Sequence, residues 1–295
     1  MTKNVLASIS AAARGLLRNP LAFALLVALY LALIAACFFF ITTREATLWQ
    51  LALTLLSALG VPLLFFMVQA AGASYAVGER SPAMLLKRTA RSFLKVFAVS
   101  IPMILLAVLS VYLLNKLERR VQLTPEERAR AEYATASAPG DETGSTSGEA
   151  TRKPPVRWKY LFVSALRLLV LGVFLPLAAM HLWLAAVRDG LKAAIVSSPR
   201  LIARAFSARS VLTYGVGMIV FALIPYFLIT KRTPVSSNTL ELLIFGARIL
   251  IAFTLMLFGW VMTMTALART DTQATMAEAA SDAPQPQSAP AAATS

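Results

Sequence analysis

Apolar residues run through this chain in long, unbroken blocks, without the alternation or one-faced periodicity of a soluble domain. A helix needs roughly 20 mostly apolar residues to cross a hydrocarbon core of about 30 Å, because no backbone amide can be left unpaired in lipid. Six blocks reach that length, approximately Leu21 to Thr42, Leu48 to Ala73, Val96 to Leu114, Tyr160 to Val187, Val211 to Thr230 and Leu240 to Leu267. The pattern predicts an all-α polytopic membrane protein with six transmembrane helices. Pro62, Pro102, Pro176 and Pro225 lie inside the spans, positions at which membrane helices tolerate a kink.

Two connections break the apolar pattern in the same way. After the second block, Ser81-Pro82 opens a stretch to Lys95 in which Lys87, Arg91 and Lys95 recur every four residues, while Leu86, Phe93, Leu94 and Phe97 fall on other faces. After the fourth, Ser198-Pro199 opens a basic stretch to Arg209 with Arg200 and Arg204. Each is expected to be an amphipathic elbow helix lying in the interface, with serine at the cap and proline in the first turn. Leu59-Gly60-Val61-Pro62 and Leu171-Gly172-Val173 with Pro176 add to the parallel and suggest a weak internal repeat of span, elbow and span. The same residues are also common in unrelated membrane helices.

The remaining segments are polar. Residues 1–20 form a basic N-terminal segment, 21–114 hold transmembrane helices 1–3 with elbow helix 81–95, and 160–270 hold helices 4–6 with elbow helix 198–209. Between them, 115–159 is expected to be a polar, largely disordered loop with a short helix from Thr124-Pro125 to about Tyr133. The Ala- and Pro-rich stretch 271–295 is expected to be a disordered tail.

Composition narrows the function classes. Hydrophobic residues make up 58% and charged residues 14%, which excludes an ordinary water-soluble enzyme. The net charge is +14, yet the basic residues flank apolar blocks, so they point to anionic lipid headgroups and not to nucleic acid. With the N-terminus inside, alternate loops hold about 14 basic residues on the cytoplasmic side against about 12 on the other. The expectation is therefore a multi-pass protein of the cytoplasmic membrane with both termini cytoplasmic. The lipid contacts expected there are Lys87, Arg88, Arg91, Lys95, Arg200, Arg204 and Arg209, with a membrane-protein partner or a second copy of the chain as further candidates.

The chain has one cysteine and one histidine, so no intrachain disulfide can form and a zinc site is not expected. No P-loop, dinucleotide-binding, HExxH or GxSxG pattern occurs, and neither a catalytic constellation nor a cofactor is expected. Ile34-Ala35-Ala36-Cys37 has the form of a lipoprotein box, but Phe38-Phe39-Phe40-Ile41 carries the apolar run on through it, which reads as a helix cysteine. His181 lies deep in the fourth span, and with Glu241 as the one acid assigned to any span, an interhelical hydrogen bond is its expected role.

Arg167 and Arg248 stand about seven residues into spans four and six, which enter the membrane from the same side. One reading has their guanidinium groups frame a pocket for an anion, a carboxylate or a lipid phosphate. In the other, each arginine reaches the near interface or is held by Glu241 or by backbone carbonyls.

The segments Gly78-Glu79-Arg80-Ser81 and Arg188-Asp189-Gly190-Leu191-Lys192, with Ala193 to Ser198 after it, resemble those of bacterial six-span membrane proteins, the YciC-like proteins and the membrane domain attached to some glycerophosphodiester phosphodiesterases. That resemblance implies an all-helical six-span fold with interfacial helices, and it implies no activity. The expected function is a non-enzymatic integral membrane protein acting through helix packing, anionic-lipid contact or a protein partner. The alternative is a small transporter or lipid-handling protein with its site near Arg167 and Arg248.

Overall fold

A computed structural model describes residues 2–43, 47–121, 158–231 and 238–281. The expected helix at 124–133 and most of the polar loop lie outside these residues. All regular structure among the described residues is helical. Six of the helices are long and apolar enough to cross a membrane, over Pro20–Thr42, Leu48–Ala76, Pro82–Arg120, Leu161–Arg188, Ala208–Thr230 and Thr239–Gln273. The chain is an all-α, multi-pass membrane protein.

In chain order the elements are α1 (Thr2–Leu17), α2 (Pro20–Thr42), α3 (Leu48–Ala76), α4 (Pro82–Val121), α5 (Trp158–Arg167), α6 (Leu175–Arg188), α7 (Leu191–Val196), α8 (Ser198–Ala205), α9 (Ala208–Met218), α10 (Ile224–Thr230) and α11 (Asn238–Ser281). Leu168–Phe174 joins α5 to α6, and Ile219–Leu223 joins α9 to α10, each as a π-helical stretch. Both stretches stop two residues before a proline, Pro176 and Pro225. Proline has no N–H to donate and its ring crowds the carbonyl one turn back, and widening the turn relieves both. Pro62 and Pro102, in contrast, sit within helices that stay α-helical.

The chain forms two compact units, one of Met1–Ile101 with Leu177–Ser295 and the other of Pro102–Pro176. The first holds the core. Residues 68–76 of α3, 177–187 of α6 and 261–267 of α11 are buried on every side, and all three are C-terminal parts of spans that run in the same direction. Small residues allow this: Ala70, Ala71, Gly72 and Ala73 let α11 approach so closely that a Cβ on Gly72 would stand 3.2 Å from Met264 Sδ. In the N-terminal half of α3 and at the C-terminal end of α2 large apolar side chains are exposed, among them Leu55, Leu56 and Leu59 of α3 and Phe38, Phe39 and Phe40 of α2, as a lipid-facing surface requires.

Four differences from the sequence-based expectation have physical causes. The basic N-terminal segment is a packed helix, with Val5, Ile9, Ala12 and Leu16 buried at helical spacing; Val5, Ile9 and Ala12 pack on Met262 and Ala266 of α11, with Leu212 and Val216 of α9 alongside. The elbow at 81–95 is no separate helix, because nothing breaks the chain before the third span and the buried stripe Leu85, Thr89, Ser92, Val96 and Val99 continues through it. At 1.5 Å per residue α4 is about 60 Å long, about twice the hydrocarbon core, which leaves it length beyond a single crossing. The second elbow stops at Ala205, and Ser207 caps α9 by accepting from the Ser210 N–H at 3.3 Å, which assigns Arg209 to the span. The expected tail from Asp271 is helical as far as Ser281, since Asp271 is buried in the core and the stretch from Ala274 to Ala280 consists largely of good helix formers.

Candidate functional site

The C-terminal turns of α3 and α6 and the stretch of α11 around Ala268–Gln273 border a recess of about 420 Å³. Gly78, Arg80, Arg188, Arg269, Thr272 and Gln273 supply its polar lining. The arginines are set by local structure. α3 closes in a Schellman turn, with Gly78 N–H donating to Tyr75 O at 3.0 Å and Glu79 N–H to Ser74 O at 3.2 Å. Gly78 takes φ +115° there, in the region that favours glycine, and the turn delivers Arg80 back over the helix end. The Arg80 guanidinium lies 4.0 Å from the centroid of the Tyr75 ring, and Tyr75, fully buried, donates its hydroxyl hydrogen to Gly15 O of α1 at 3.0 Å. We expect Gly78→Ala to lower stability by about 1 kcal/mol through backbone strain alone; a denaturation curve matching wild type would contradict this.

Charge in the recess is unevenly satisfied. Arg188 is held by Asp189, with Nε donating at 3.0 Å and Nη2 at 3.1 Å. Arg80 stacks on tyrosine, but its Nη1 is buried without a hydrogen-bond partner among the described residues. Leaving such a donor unsatisfied is costly, more so for a charged group. Arg269 is half-buried beside Gly15, where a Cβ would lie 3.8 Å from its Nη2.

Next to residues that line this recess lies a second polar feature. His181 Nδ1 is 3.1 Å from Asp271 Oδ2, and both residues are buried. The expected interhelical hydrogen bond of His181 is thus present, and its partner is an acid that composition had assigned to the tail. His181 Nε2 is buried without a hydrogen-bond partner among the described residues. Two further polar contacts tie the helices together nearby: Trp183 Nε1 donates to Ser100 Oγ at 2.8 Å, and Trp260 Nε1 to Gln69 Oε1 at 2.9 Å.

The two arginines singled out from the sequence each have a local partner. Arg167, exposed on α5, pairs with Glu118 of α4 at 3.3 Å. Arg248 donates to the Lys231 backbone carbonyl, while Glu241 is exposed. Along α11 Arg248 stands about 30 Å from Arg269, at 1.5 Å per residue. Cys37 lies within the unbroken helix α2 with a free thiol. The two span-and-elbow units share a positive-φ glycine after the span, Gly78 and Gly190, and differ in that the π-helical stretch occurs at Gly172 but not at Gly60.

A comparison with protein-family models finds no match, and comparisons with curated proteins and with solved structures find none either.

Proposed function

We propose that the chain is a non-enzymatic, lipid-handling protein of the cytoplasmic membrane whose basic end holds one anionic, phosphate-bearing group in the recess of Arg80, Arg188 and Arg269. The observation that carries this reading is the Nη1 of Arg80, buried without a hydrogen-bond partner among the described residues, in a cavity with two further guanidinium groups. The planar fork of arginine suits a phosphate oxygen pair, and charge-assisted bonds of this kind are stronger than neutral ones. Around the recess, Lys87, Arg88, Arg91 and Lys95 of α4, Arg200 and Arg204 of α8 and Arg209 of α9 supply the field that draws anionic headgroups to this face. Basic residues concentrated around the recess support placing this end, with both termini, in the cytoplasm.

Native mass spectrometry from lipid nanodiscs tests the reading. Wild type should retain about one phosphatidylglycerol and no phosphatidylcholine, and Arg80→Gln/Arg269→Gln should weaken retention about 30-fold, from about 1 kcal/mol per basic residue. A parallel arm with sulfate and glycerol phosphate separates a lipid headgroup from a free anion. Equal retention by wild type and the double variant would overturn the proposal.

A further inference from the structure

We propose that the buried His181–Asp271 pair makes the recess proton-dependent, so that an anion binds more tightly when His181 is protonated. The inference rests on reading the recess as an anion site.

His181 is the one histidine of the chain, and histidine is the side chain that ordinarily changes charge between about pH 5 and pH 8. It lies two helical turns before Arg188 on the same face of α6, and Leu184 between them lines the recess. Asp271, its partner, is adjacent in sequence to Thr272 and two positions from Arg269, both of which also line it. The pair thus stands next to residues that line the recess, along both helices.

The state of the pair follows from its hydrogen bonding. With the carboxylate ionised, a neutral imidazole is held in the tautomer whose Nδ1–H donates to Asp271 Oδ2, 3.1 Å away. That tautomer leaves a bare lone pair on Nε2, which is buried without a hydrogen-bond partner among the described residues and is where a proton adds. Charged and titratable groups on the surrounding elements include Arg14 and Arg18 of α1 and the turn after it, Tyr75, Glu79 and Arg80 of α3 and the turn after it, Lys87, Arg88, Arg91 and Lys95 of α4, Arg188 and Asp189 of α6 and the turn after it, and Arg269 of α11. Tyr75 is committed to Gly15 and Asp189 to Arg188, and Asp271 is the acid at hydrogen-bond distance from the imidazole.

Asp271 also acts electrostatically on Arg188. While His181 is neutral, the Asp271 carboxylate competes with any incoming anion for the field of that guanidinium. Protonation of Nε2 converts the pair to a neutral imidazolium–carboxylate couple, cancels that competition, and leaves the arginines to the ligand. By linkage the effect is reciprocal, and a bound anion must favour the protonated imidazole by the same factor.

Phosphatidylglycerol in nanodiscs is the probe, because its phosphodiester keeps one charge across the range and any pH dependence belongs to the protein. Wild type should bind about tenfold more tightly at about pH 5.5 than at about pH 8, within the 5–150-fold range of linked sites. His181→Gln should bind with the wild-type affinity of the higher pH at both. A second measurement needs no variant. The single imidazole gives one set of resonances in histidine-labelled wild type, and its charged fraction at fixed pH should rise when phosphatidylglycerol is added. Persistence of the pH dependence in His181→Gln, or an imidazole signal indifferent to saturating lipid, would overturn the proposal. A wild type that binds with no pH dependence but loses binding in Arg80→Gln/Arg269→Gln sinks the linkage alone. Equal binding by wild type and that double variant removes both readings.

Discussion

Gly259→Ala should be among the most damaging single-atom additions in the molecule. A Cβ there would stand 2.9 Å from the backbone nitrogen of Phe221, 2.9 Å from its Cβ and 3.0 Å from Val220 Cγ1. The obstacle is main chain in a π-helical stretch that Pro225 already constrains, so it cannot swing aside as a side-chain tip would. Gly217→Ala meets Thr263 in the same seam, where the added carbon would overlap Oγ1 and stand 3.0 Å from Cβ, and no rotamer of Thr263 moves its own Cβ away. Overpacking of this kind costs about 1–3 kcal/mol per site, and the two losses should not add, because both act on one helix contact. Gly215→Ala and Gly246→Ala are the controls, with nothing within 4 Å of the added carbon, and should be neutral or slightly stabilising through helix propensity. Reversible unfolding in mixed micelles reads all four. A Gly259→Ala protein as stable as Gly246→Ala would mean that the last spans do not pack through this seam.

Why the spans were legible in the sequence and the recess was not can be traced to particular residues. Lipid imposes length and apolarity on every crossing helix, so blocks such as Leu21 to Thr42 announce themselves without knowledge of their neighbours. The π-helical stretches and the uninterrupted passage from elbow to span in α4 depend on what packs beside them, which the pattern of one segment does not record. Arg80, Arg188 and Arg269 each read as an ordinary flanking charge. Their common signal was available but indirect: each follows an even-numbered span, and even-numbered spans end on one side. Arg167 and Arg248 drew notice because they interrupt apolar runs, yet Glu118 and the Lys231 carbonyl hold them. The decisive boundary was at Leu267. Hydropathy falls there, which placed Asp271 outside the membrane region and left His181 without an acid, whereas the helix continues and buries both. The spacing of Val5, Ile9, Ala12 and Leu16 is that of a packed helical face, and the basic residues that frame it give the segment the composition of an exposed one.

Removing either member of the His181–Asp271 pair should cost far more than removing both. His181→Leu takes from the buried Asp271 carboxylate its imidazole partner, and Asp271→Leu takes from His181 Nδ1 its partner while Nε2 has none among the described residues. Breaking a buried pair one partner at a time typically costs about 3–5 kcal/mol, whereas replacing it with apolar residues of similar size is often neutral or stabilising by about 1–4 kcal/mol. The expected order in thermal unfolding is therefore His181→Leu/Asp271→Leu at or above wild type, with both single variants well below it. The double variant should also bind phosphatidylglycerol with one affinity at about pH 5.5 and about pH 8, because no group beside the recess titrates across that interval. Stability and pH response would then separate: a pair that can be deleted without loss of stability, and whose deletion abolishes the response, owes its presence in an apolar core to the ligand site beside it. Were the double variant to unfold as readily as the singles, the pair would be structural, and its place beside the recess would follow from helix packing alone.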